Sequence, residues 1–351
     1  MTRNTDGASR QTARPATLTR SEAPAMRAIV QHAYGTADVL HLERIERPAI
    51  KPDEVLIRVR AAGVNHADWV YTSGRPLLAR LAFGLRKPKQ QVRGRDVAGV
   101  VEAVGGGVTR FRPNDAVFGE VDAGSFAEYT VARQDLLALK PTGLTFEQAA
   151  VVPVSARTAL QGLRDTGKLR PGQSVLINGA SGGVGTFAVQ IARALGAEVT
   201  GVCSPRNVEL VRSLGADQVI DYTGEDFTRS GRRYDLILDS IGNHSVNSLR
   251  RALTPTGTLV LSSGTGGRVL GPMGRIIRAR LLSLFVGQTL TTGMLARSTE
   301  TLDELRALID SGAVTPVIER TYPLSETADA VRHFAEEHAR AKIAITVSAA
   351  E

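Results

Sequence analysis

The first part of the chain alternates apolar with polar residues over short segments that glycine and proline separate. From Met26 onward this pattern predicts strands over residues 27–31, 54–62, 99–104, 116–119 and 126–131. Short strands with turn residues between them are typical of small β domains. We therefore predict a mainly β domain of partly open barrel type over residues 26–150.

After Gly172 the pattern changes to apolar strands that alternate with helices. It predicts strands over residues 174–178, 198–203, 218–221, 234–239 and 258–262, with helices over 184–195 and 207–214. Such alternation forms a parallel, doubly wound sheet with helices on both faces. We assign residues 151–290 to this α/β domain. A helix over 325–338 and a strand over 343–347 follow, and we expect residues 291–351 to return to the first domain.

Residues 1–25 show neither helical nor strand periodicity and contain only Asp6 and Glu22 as acids. This composition predicts a disordered N-terminal extension. Arginine enrichment with few acids also resembles an organelle transit peptide, and a translation start at Met26 is a further alternative.

Length and composition narrow the function classes. A chain of 351 residues with 42% apolar residues is larger than a single hydrophobic core usually supports, which agrees with two domains.

No apolar run approaches the roughly 20 residues that cross a bilayer, so we expect no stable membrane insertion. The single cysteine, Cys203, excludes an intramolecular disulfide and a four-cysteine zinc site, and we expect a cytoplasmic location. The net charge of +8 is not gathered into basic clusters with aromatic residues, so we expect no nucleic-acid partner.

A glycine-rich turn joins the first strand of the α/β domain to the helix that follows it. Gly182 and Gly183 let the main chain approach a pyrophosphate, and the helix that begins near Val184 offers free N–H groups to the anion. The Ser181 hydroxyl is a further donor. The turn therefore predicts a dinucleotide site. Its sequence is Gly179-Ala180-Ser181-Gly182-Gly183-Val184-Gly185.

The end of the second α/β strand indicates which dinucleotide binds. A carboxylate at this point would accept hydrogen bonds from the ribose hydroxyls of NAD, and none is present. Ser204, Arg206 and Asn207 can instead donate to a 2′-phosphate, with the arginine as the charged partner. We therefore predict NADP(H). The alternative is that Arg206 only begins a surface helix.

Several separated motifs, in one order, resemble the medium-chain dehydrogenase/reductase superfamily, in its zinc-free branch of quinone oxidoreductase-like and enone reductase-like proteins. The resemblance covers residues 26–347 and implies a GroES-like first domain, a Rossmann second domain, a cleft between them and a possible homodimer. The motifs are Ala62-Gly63-Val64-Asn65-His66-Ala67-Asp68, Gly94-Arg95-Asp96-Val97-Ala98-Gly99, Gly124-Ser125-Phe126-Ala127-Glu128-Tyr129, Thr158-Ala159-Leu160-Gln161-Gly162, the Gly179 turn, Leu214-Gly215-Ala216-Asp217 and Ala341-Lys342-Ile343.

The resemblance also indicates what is missing. Zinc-dependent members carry a cysteine where this chain has Asn65 and a histidine where it has Arg95. A chain without these ligands has no cluster at the spacing that zinc requires, so we expect no metal.

The resemblance places Asn65, Asp68 and Tyr71 on the loop that orients nicotinamide and substrate, as candidate catalytic residues. Quinone reductases commonly carry a tyrosine where this chain has Val70. Tyr71 either replaces that hydroxyl after a shift of one residue or packs without a chemical role. The resemblance also implies further residues near the cofactor. These are Thr158, Tyr222, Ile241, Ser262 and Lys342.

The sequence thus predicts an NADPH-dependent, zinc-independent reductase that transfers hydride to an α,β-unsaturated carbonyl or quinone-like small molecule. Two alternatives stay open. One is an alcohol or carbonyl dehydrogenase of the same superfamily. The other is a protein that binds NADPH with negligible turnover, because a fold alone does not establish catalysis.

Residues 273–285 contain three arginines among leucine and isoleucine residues, a pattern that predicts an amphipathic helix. Its apolar face either covers the substrate cleft or a subunit edge, or adsorbs to an anionic membrane surface. We favour the cover, because one short amphipathic helix binds membranes weakly.

Overall fold

The first domain is built from short strands and helices around an antiparallel sheet. The structure is a computed structural model that describes residues 25–122, 124–262, 271–293, 296–337 and 339–347. The predicted disordered extension, apart from residue 25, lies outside these residues. In the part of the chain described, no helix is long and apolar enough to cross a membrane.

In the residues described, seven strands and four α-helices precede the parallel sheet of the α/β domain. The strands are β1 (Ala25–Gln31), β2 (Leu40–Glu46), β3 (Glu54–Val64), β4 (Asp96–Val104), β5 (Ala116–Glu120), β6 (Tyr129–Arg133) and β7 (Leu137–Leu139). The helices are α1 (His66–Ser73), α2 (Arg80–Phe83), α3 (Phe146–Ala150) and α4 (Pro153–Leu160), which continues as a π-helix over Gln161–Thr166.

The strand predicted over residues 126–131 divides between two partners. Ile29 N donates to Phe126 O at 2.8 Å, and Glu128 N donates to Arg27 O at 3.0 Å, so residues 126–128 bond to β1. From Tyr129 onward the chain turns to pair with β3 as β6. The strand therefore begins three residues later than predicted, because the preceding segment is held by a different sheet.

Within the residues described, the α/β domain contains six parallel strands. They are β8 (Ser174–Asn178), β9 (Glu198–Cys203), β10 (Gln218–Asp221), β11 (Tyr234–Asp239), β12 (Leu253–Leu261) and β13 (Thr289–Thr292). The helices between and after them are α5 (Gly183–Ala194), α6 (Val208–Ser213), α7 (Val246–Arg251), α8 (Met273–Ser283) and α9 (Thr299–Asp310). The strand order β10-β9-β8-β11-β12-β13 is that of a Rossmann fold. The predicted fold class is confirmed.

The last elements are β14 (Ile318–Pro323), α10 (Thr327–Glu336) and β15 (Lys342–Thr346). Both strands extend the sheet of the first domain, whose order is β14-β15-β3-β4-β5-β7 with β6 also paired to β3. This sheet is open in the part of the chain described. The position of β15 beside β3 brings Lys342 to the end of β3, where α1 begins.

One hydrophobic core joins the two sheets through α4. Ala98 and Phe118 from the first sheet, Ala156 and Leu160 from α4, and Val175 from the Rossmann sheet are all buried in the same cluster. Helix α9 adds Leu302, Leu305 and Ile309 to that cluster. The residues that face the cleft are therefore held by a shared interior.

Candidate active site

The glycine-rich turn has the geometry that an anion requires. A Cβ added to Gly185 would lie 2.0 Å from Gly179 O, so only glycine allows this close contact of helix and strand. Gly182 is the extended N-cap residue of α5, and no side chain caps the helix there. A Cβ at Gly182 would meet only Gly179 O, at 3.4 Å. The first N–H groups of α5 and the space beside Gly182 fit a pyrophosphate.

Asn207 ties this turn to the end of β9. Its Nδ2 donates to Ser181 Oγ at 3.0 Å and to Ser204 Oγ at 3.1 Å, and the side chain is buried. Arg206 precedes it on the exposed side. Three polar side chains predicted to bind the cofactor are thus brought together, with Arg206 at their outer edge.

Three other predicted cofactor residues follow the carboxyl ends of parallel strands. Tyr222 N donates to Cys203 O at 3.2 Å, Ser262 N donates to Asp239 O at 3.0 Å, and Ile241 packs against Gly179. This edge of the sheet is where ligands bind in Rossmann folds. Thr158 lies instead on α4, where its hydroxyl donates to Val154 O at 2.7 Å. The cofactor roles of these residues stay predictions.

Lys342 joins the turn to the loop before α1. Its buried Nζ donates to Val64 O at 2.9 Å, to Asn65 Oδ1 at 2.6 Å and to Ser155 Oγ at 3.1 Å. Its aliphatic stem lies against Gly183, where an added Cβ would be 3.1 Å from Lys342 Cδ. Burial lowers the pKa of Lys342, and the nearby carboxyls oppose that shift. The residue thus couples the pyrophosphate turn to the loop that carries the candidate catalytic residues.

Asn65 uses its whole amide within the protein. Its Nδ2 donates to Asp96 Oδ2 at 2.9 Å and to Gly63 O at 3.3 Å, while its Oδ1 accepts from Lys342. Asp96 Oδ1 in turn accepts from Val154 N at 3.1 Å, and burial raises the pKa of Asp96 to about 7. Because these partners saturate the amide, Asn65 acts here as a positioning residue, and a contact with substrate stays a prediction.

Asp68 stabilises the first turn of α1. Its Oδ2 accepts from Asn65 N at 2.8 Å, which completes a capping box. Burial raises the pKa of Asp68 to about 6, although this hydrogen bond and the charge of Lys342 act in the opposite direction. Asp68 therefore also positions the loop.

The raised pKa of Asp68 predicts a pH-dependent stability. The pKa of this carboxyl is 3.8 in the unfolded chain and about 6 in the fold, so the folded state binds the proton more tightly. Its stabilising contribution is present at low pH and is lost as pH rises from about 4 to about 6. The amide in Asp68→Asn would not titrate, so the free energy of unfolding of this variant should rise relative to that of wild type by about 3 kcal/mol as the pH increases from about 4 to about 8. Urea unfolding at both pH values measures this gain, and a constant difference would contradict it.

Tyr71 and Arg95 form a polar pair beside a pocket. Arg95 Nη1 donates to Tyr71 Oη at 3.2 Å, and the Tyr71 ring packs on Phe83 with 4.0 Å between centroids. The buried Arg93 guanidinium lies 5.8 Å from the same ring centroid. The adjoining pocket has a volume of about 210 Å³. Its lining residues are Tyr34, Tyr71, Ala82, Phe83, Pro88, Lys89, Gln90 and Arg93.

The residues at the position of the zinc site do not fit zinc. The Asn65 amide is saturated by protein partners, and Arg95 places a positive charge where a cation would bind. Within the described ranges, no group of three histidine, cysteine, aspartate or glutamate side chains is arranged to hold a metal ion. We therefore derive no reaction step through a metal.

Sequence reasoning missed three residues of this site. Ser155 and Asp96 complete the network around Lys342 and Asn65, and Arg95 was considered only as a replaced zinc ligand. One signal was present. Asp96 is a carboxylate at the start of a strand whose next five residues are apolar, and a carboxylate that becomes buried in such a strand needs polar partners.

Two family models match the chain. The alcohol dehydrogenase GroES-like domain matches residues 51–142, and a zinc-binding dehydrogenase model matches residues 214–345. Asn65 and Arg95 lie outside residues 214–345, the range that the second model matches.

Relatives agree with both models. A mitochondrial NAD(P)H oxidoreductase of Mus musculus is 35% identical over 94% of this chain and 91% of its own length. A chloroplastic NADPH-dependent alkenal/one oxidoreductase of Arabidopsis thaliana is 34% identical over 91% of this chain and 79% of its own length. The solved quinone oxidoreductase of Coxiella burnetii is 29% identical, with a TM-score of 0.81 over 93% of this chain and all of its own. Because two of these names include an organelle, the cytoplasmic location stays a prediction.

Proposed function

This chain belongs to the medium-chain dehydrogenase/reductase superfamily, in its quinone oxidoreductase-like branch, and is an NAD(P)-dependent oxidoreductase; we propose that it reduces α,β-unsaturated carbonyl or quinone-like small molecules with NADPH and without zinc. The relatives named for alkenal and quinone reduction support this substrate class.

The observation that carries the proposal is the link between the pyrophosphate turn and the Arg95–Tyr71 pair. Lys342 packs on Gly183 and donates to Asn65, which begins the helix that carries Tyr71. The donors for a substrate oxygen are therefore fixed relative to the bound cofactor. Such fixed geometry lowers the cost of aligning two reactants.

When bound, the nicotinamide would supply a hydride to the β-carbon of an enone, or to a quinone, and a proton from solvent or a side chain would complete the reduction, at the α-carbon of the enone or at the quinone oxygen. The Arg95 guanidinium donates hydrogen bonds to the substrate oxygen on which negative charge develops. Tyr71 accepts from Arg95, so its own proton points away from the guanidinium and toward a substrate oxygen. Tyr71, Phe83 and Tyr34 supply aromatic walls on which a planar conjugated molecule stacks.

The preference for NADPH rests on the end of β9. Ser204 and Asn207 are held together by a hydrogen bond, and the exposed Arg206 stands beside them. The arginine contributes the charge that a 2′-phosphate requires.

Paired titrations test the cofactor. We expect NADPH to bind roughly tenfold or more tightly than NADH, and Arg206→Gln to remove most of that difference. Arg212→Gln, an exposed arginine on neighbouring α6, is the matched control and should leave the ratio unchanged. A preference for NADH would contradict our assignment of Arg206.

Turnover tests the substrate class. We expect NADPH oxidation with enones and quinones that persists with a chelator, together with loss of the ultraviolet enone band. Appearance of an allylic alcohol would instead support a carbonyl dehydrogenase. Tight NADPH binding without oxidation across enones, quinones and aldehydes would support a binding protein.

A further inference from the structure

Helix α8 is anchored to the Rossmann domain by one side only. Ala279 is buried in the core that also contains Leu290 of β13. Arg275 donates to Asp239 at the end of β11 and to His244 O at 3.2 Å. The helix begins beside the first domain, where Gly271 lies against the Pro76 ring.

The opposite side of α8 is apolar and exposed. Ile277 is 53% exposed, Leu281 58%, Leu284 76% and Phe285 82%, and Met273 lies on the same side. Residues four apart on a helix share one face, so the side chains form a continuous stripe along α8 and the turn after it. A groove of about 450 Å³ runs beside the stripe, between α8 and Asn247 of α7. The stripe is exposed in the part of the chain that the structure describes, and Gly271, two residues before α8, lies against Pro76 of the first domain.

The sequence around this stripe is basic. Residues 240–299 contain seven arginines and neither aspartate nor glutamate. Arg278 and Arg280 are exposed and flank the stripe on its two sides. Their aliphatic stems can lie along an apolar layer while the guanidinium groups reach anionic headgroups.

We propose that this face, which we call the α8 face (Met273, Ile277, Arg278, Arg280, Leu281, Leu284 and Phe285), adsorbs to the surface of an anionic membrane. An exposed apolar stripe flanked by arginines is the pattern of helices that lie in the headgroup region. A second copy of the chain would set arginine against arginine, with no acid in residues 240–299 to compensate. An anionic bilayer satisfies both the apolar residues and the charge, and the arginines add to the weak affinity that one short amphipathic helix has by itself. The helix lies on the membrane and does not cross it.

Vesicle flotation of the full chain tests this proposal. We expect the protein to float with phosphatidylcholine vesicles that contain about 30% phosphatidylserine, less with phosphatidylcholine alone, and less as salt rises. Leu281→Ser with Phe285→Ser should abolish flotation. Arg278→Gln with Arg280→Gln should lower the partition coefficient roughly thirtyfold and remove most of the salt dependence.

The control is the pair Leu42→Ser and Arg112→Gln, an exposed leucine and an exposed arginine on the first domain, which should float like wild type. NADPH binding shows that each variant is folded, so the result is independent of substrate turnover. No flotation with anionic vesicles, or equal loss in the control pair, would overturn the proposal. A dimer that Leu281→Ser with Phe285→Ser converts to monomers, without vesicle binding, would make this face an interface between copies.

Discussion

An Arg95→Met enzyme is expected to lose roughly 10²–10³-fold in kcat/KM with an enone or quinone, because a preorganised donor to the developing oxyanion is removed. The side chain is partly exposed and, among the described residues, donates one hydrogen bond, to Tyr71, so the fold should be retained. Steady-state kinetics at saturating NADPH measures the loss. NADPH affinity should be nearly unchanged, since Arg95 bonds to Tyr71 on α1 and not to the glycine-rich turn.

Two further variants separate charge from geometry. Arg95→Lys keeps the positive charge and should recover part of the activity, although the ammonium lacks the planar fork of a guanidinium. Tyr71→Phe keeps the ring on Phe83 and removes the hydroxyl. Unchanged turnover in Tyr71→Phe would eliminate a proton-donor role. Turnover close to wild type in Arg95→Met would refute our assignment of the oxyanion donor.

Replacing Arg157 by methionine should lower the free energy of unfolding by about 3–5 kcal/mol, because Glu120 would keep a buried charge without its partner. Arg157 Nε and Nη2 donate to the two Glu120 oxygens at 2.5 and 3.1 Å, and both side chains are buried. The pair links α4 to β5 inside the core that joins the two sheets. Urea unfolding followed by circular dichroism measures the change.

The double variant is the control for this prediction. Replacing both Glu120 and Arg157 by methionine leaves no uncompensated charge and should recover most of the lost stability, since apolar residues often replace buried ion pairs without cost. Equal stability of the single and double variants would show that lost packing, and not the unpaired carboxylate, causes the effect.

The elements predicted from the sequence are those whose signals are local. Strands β8, β9, β10 and β11 match their predicted bounds, because each is a short apolar run between turn residues. Strand β13 was missed, since Thr289–Thr292 is mainly polar and gains its strand conformation from pairing with β12. Helix α4 was also missed. It packs between the two domains, so it is stabilised by residues that are distant from it in sequence.

The candidate site shows the same limit. The turn and the Ser204–Asn207 cluster are close in sequence, so spacing alone located them. The resemblance made Asn65 a candidate catalytic residue, but the partners of its amide, at residues 96 and 342, are distant along the chain. Periodicity does not indicate which distant side chains occupy the same interior. The sequence therefore predicted residues near the candidate site. The structure was needed to distinguish residues that hold the loop in place from residues that can contact substrate.

Strand β15 has a consequence for how the protein is made. It pairs with β3, and Lys342 bonds to Val64, which was synthesised 278 residues earlier. A ribosome needs roughly 14 to 56 s to add that length of chain. During this interval residues 61–64 of β3 lack the partner strand β15, while β6 already pairs with residues 54–58. Unpaired strand edges can pair with other chains. We therefore expect the nascent first domain to stay open to such pairing until β15 leaves the ribosome.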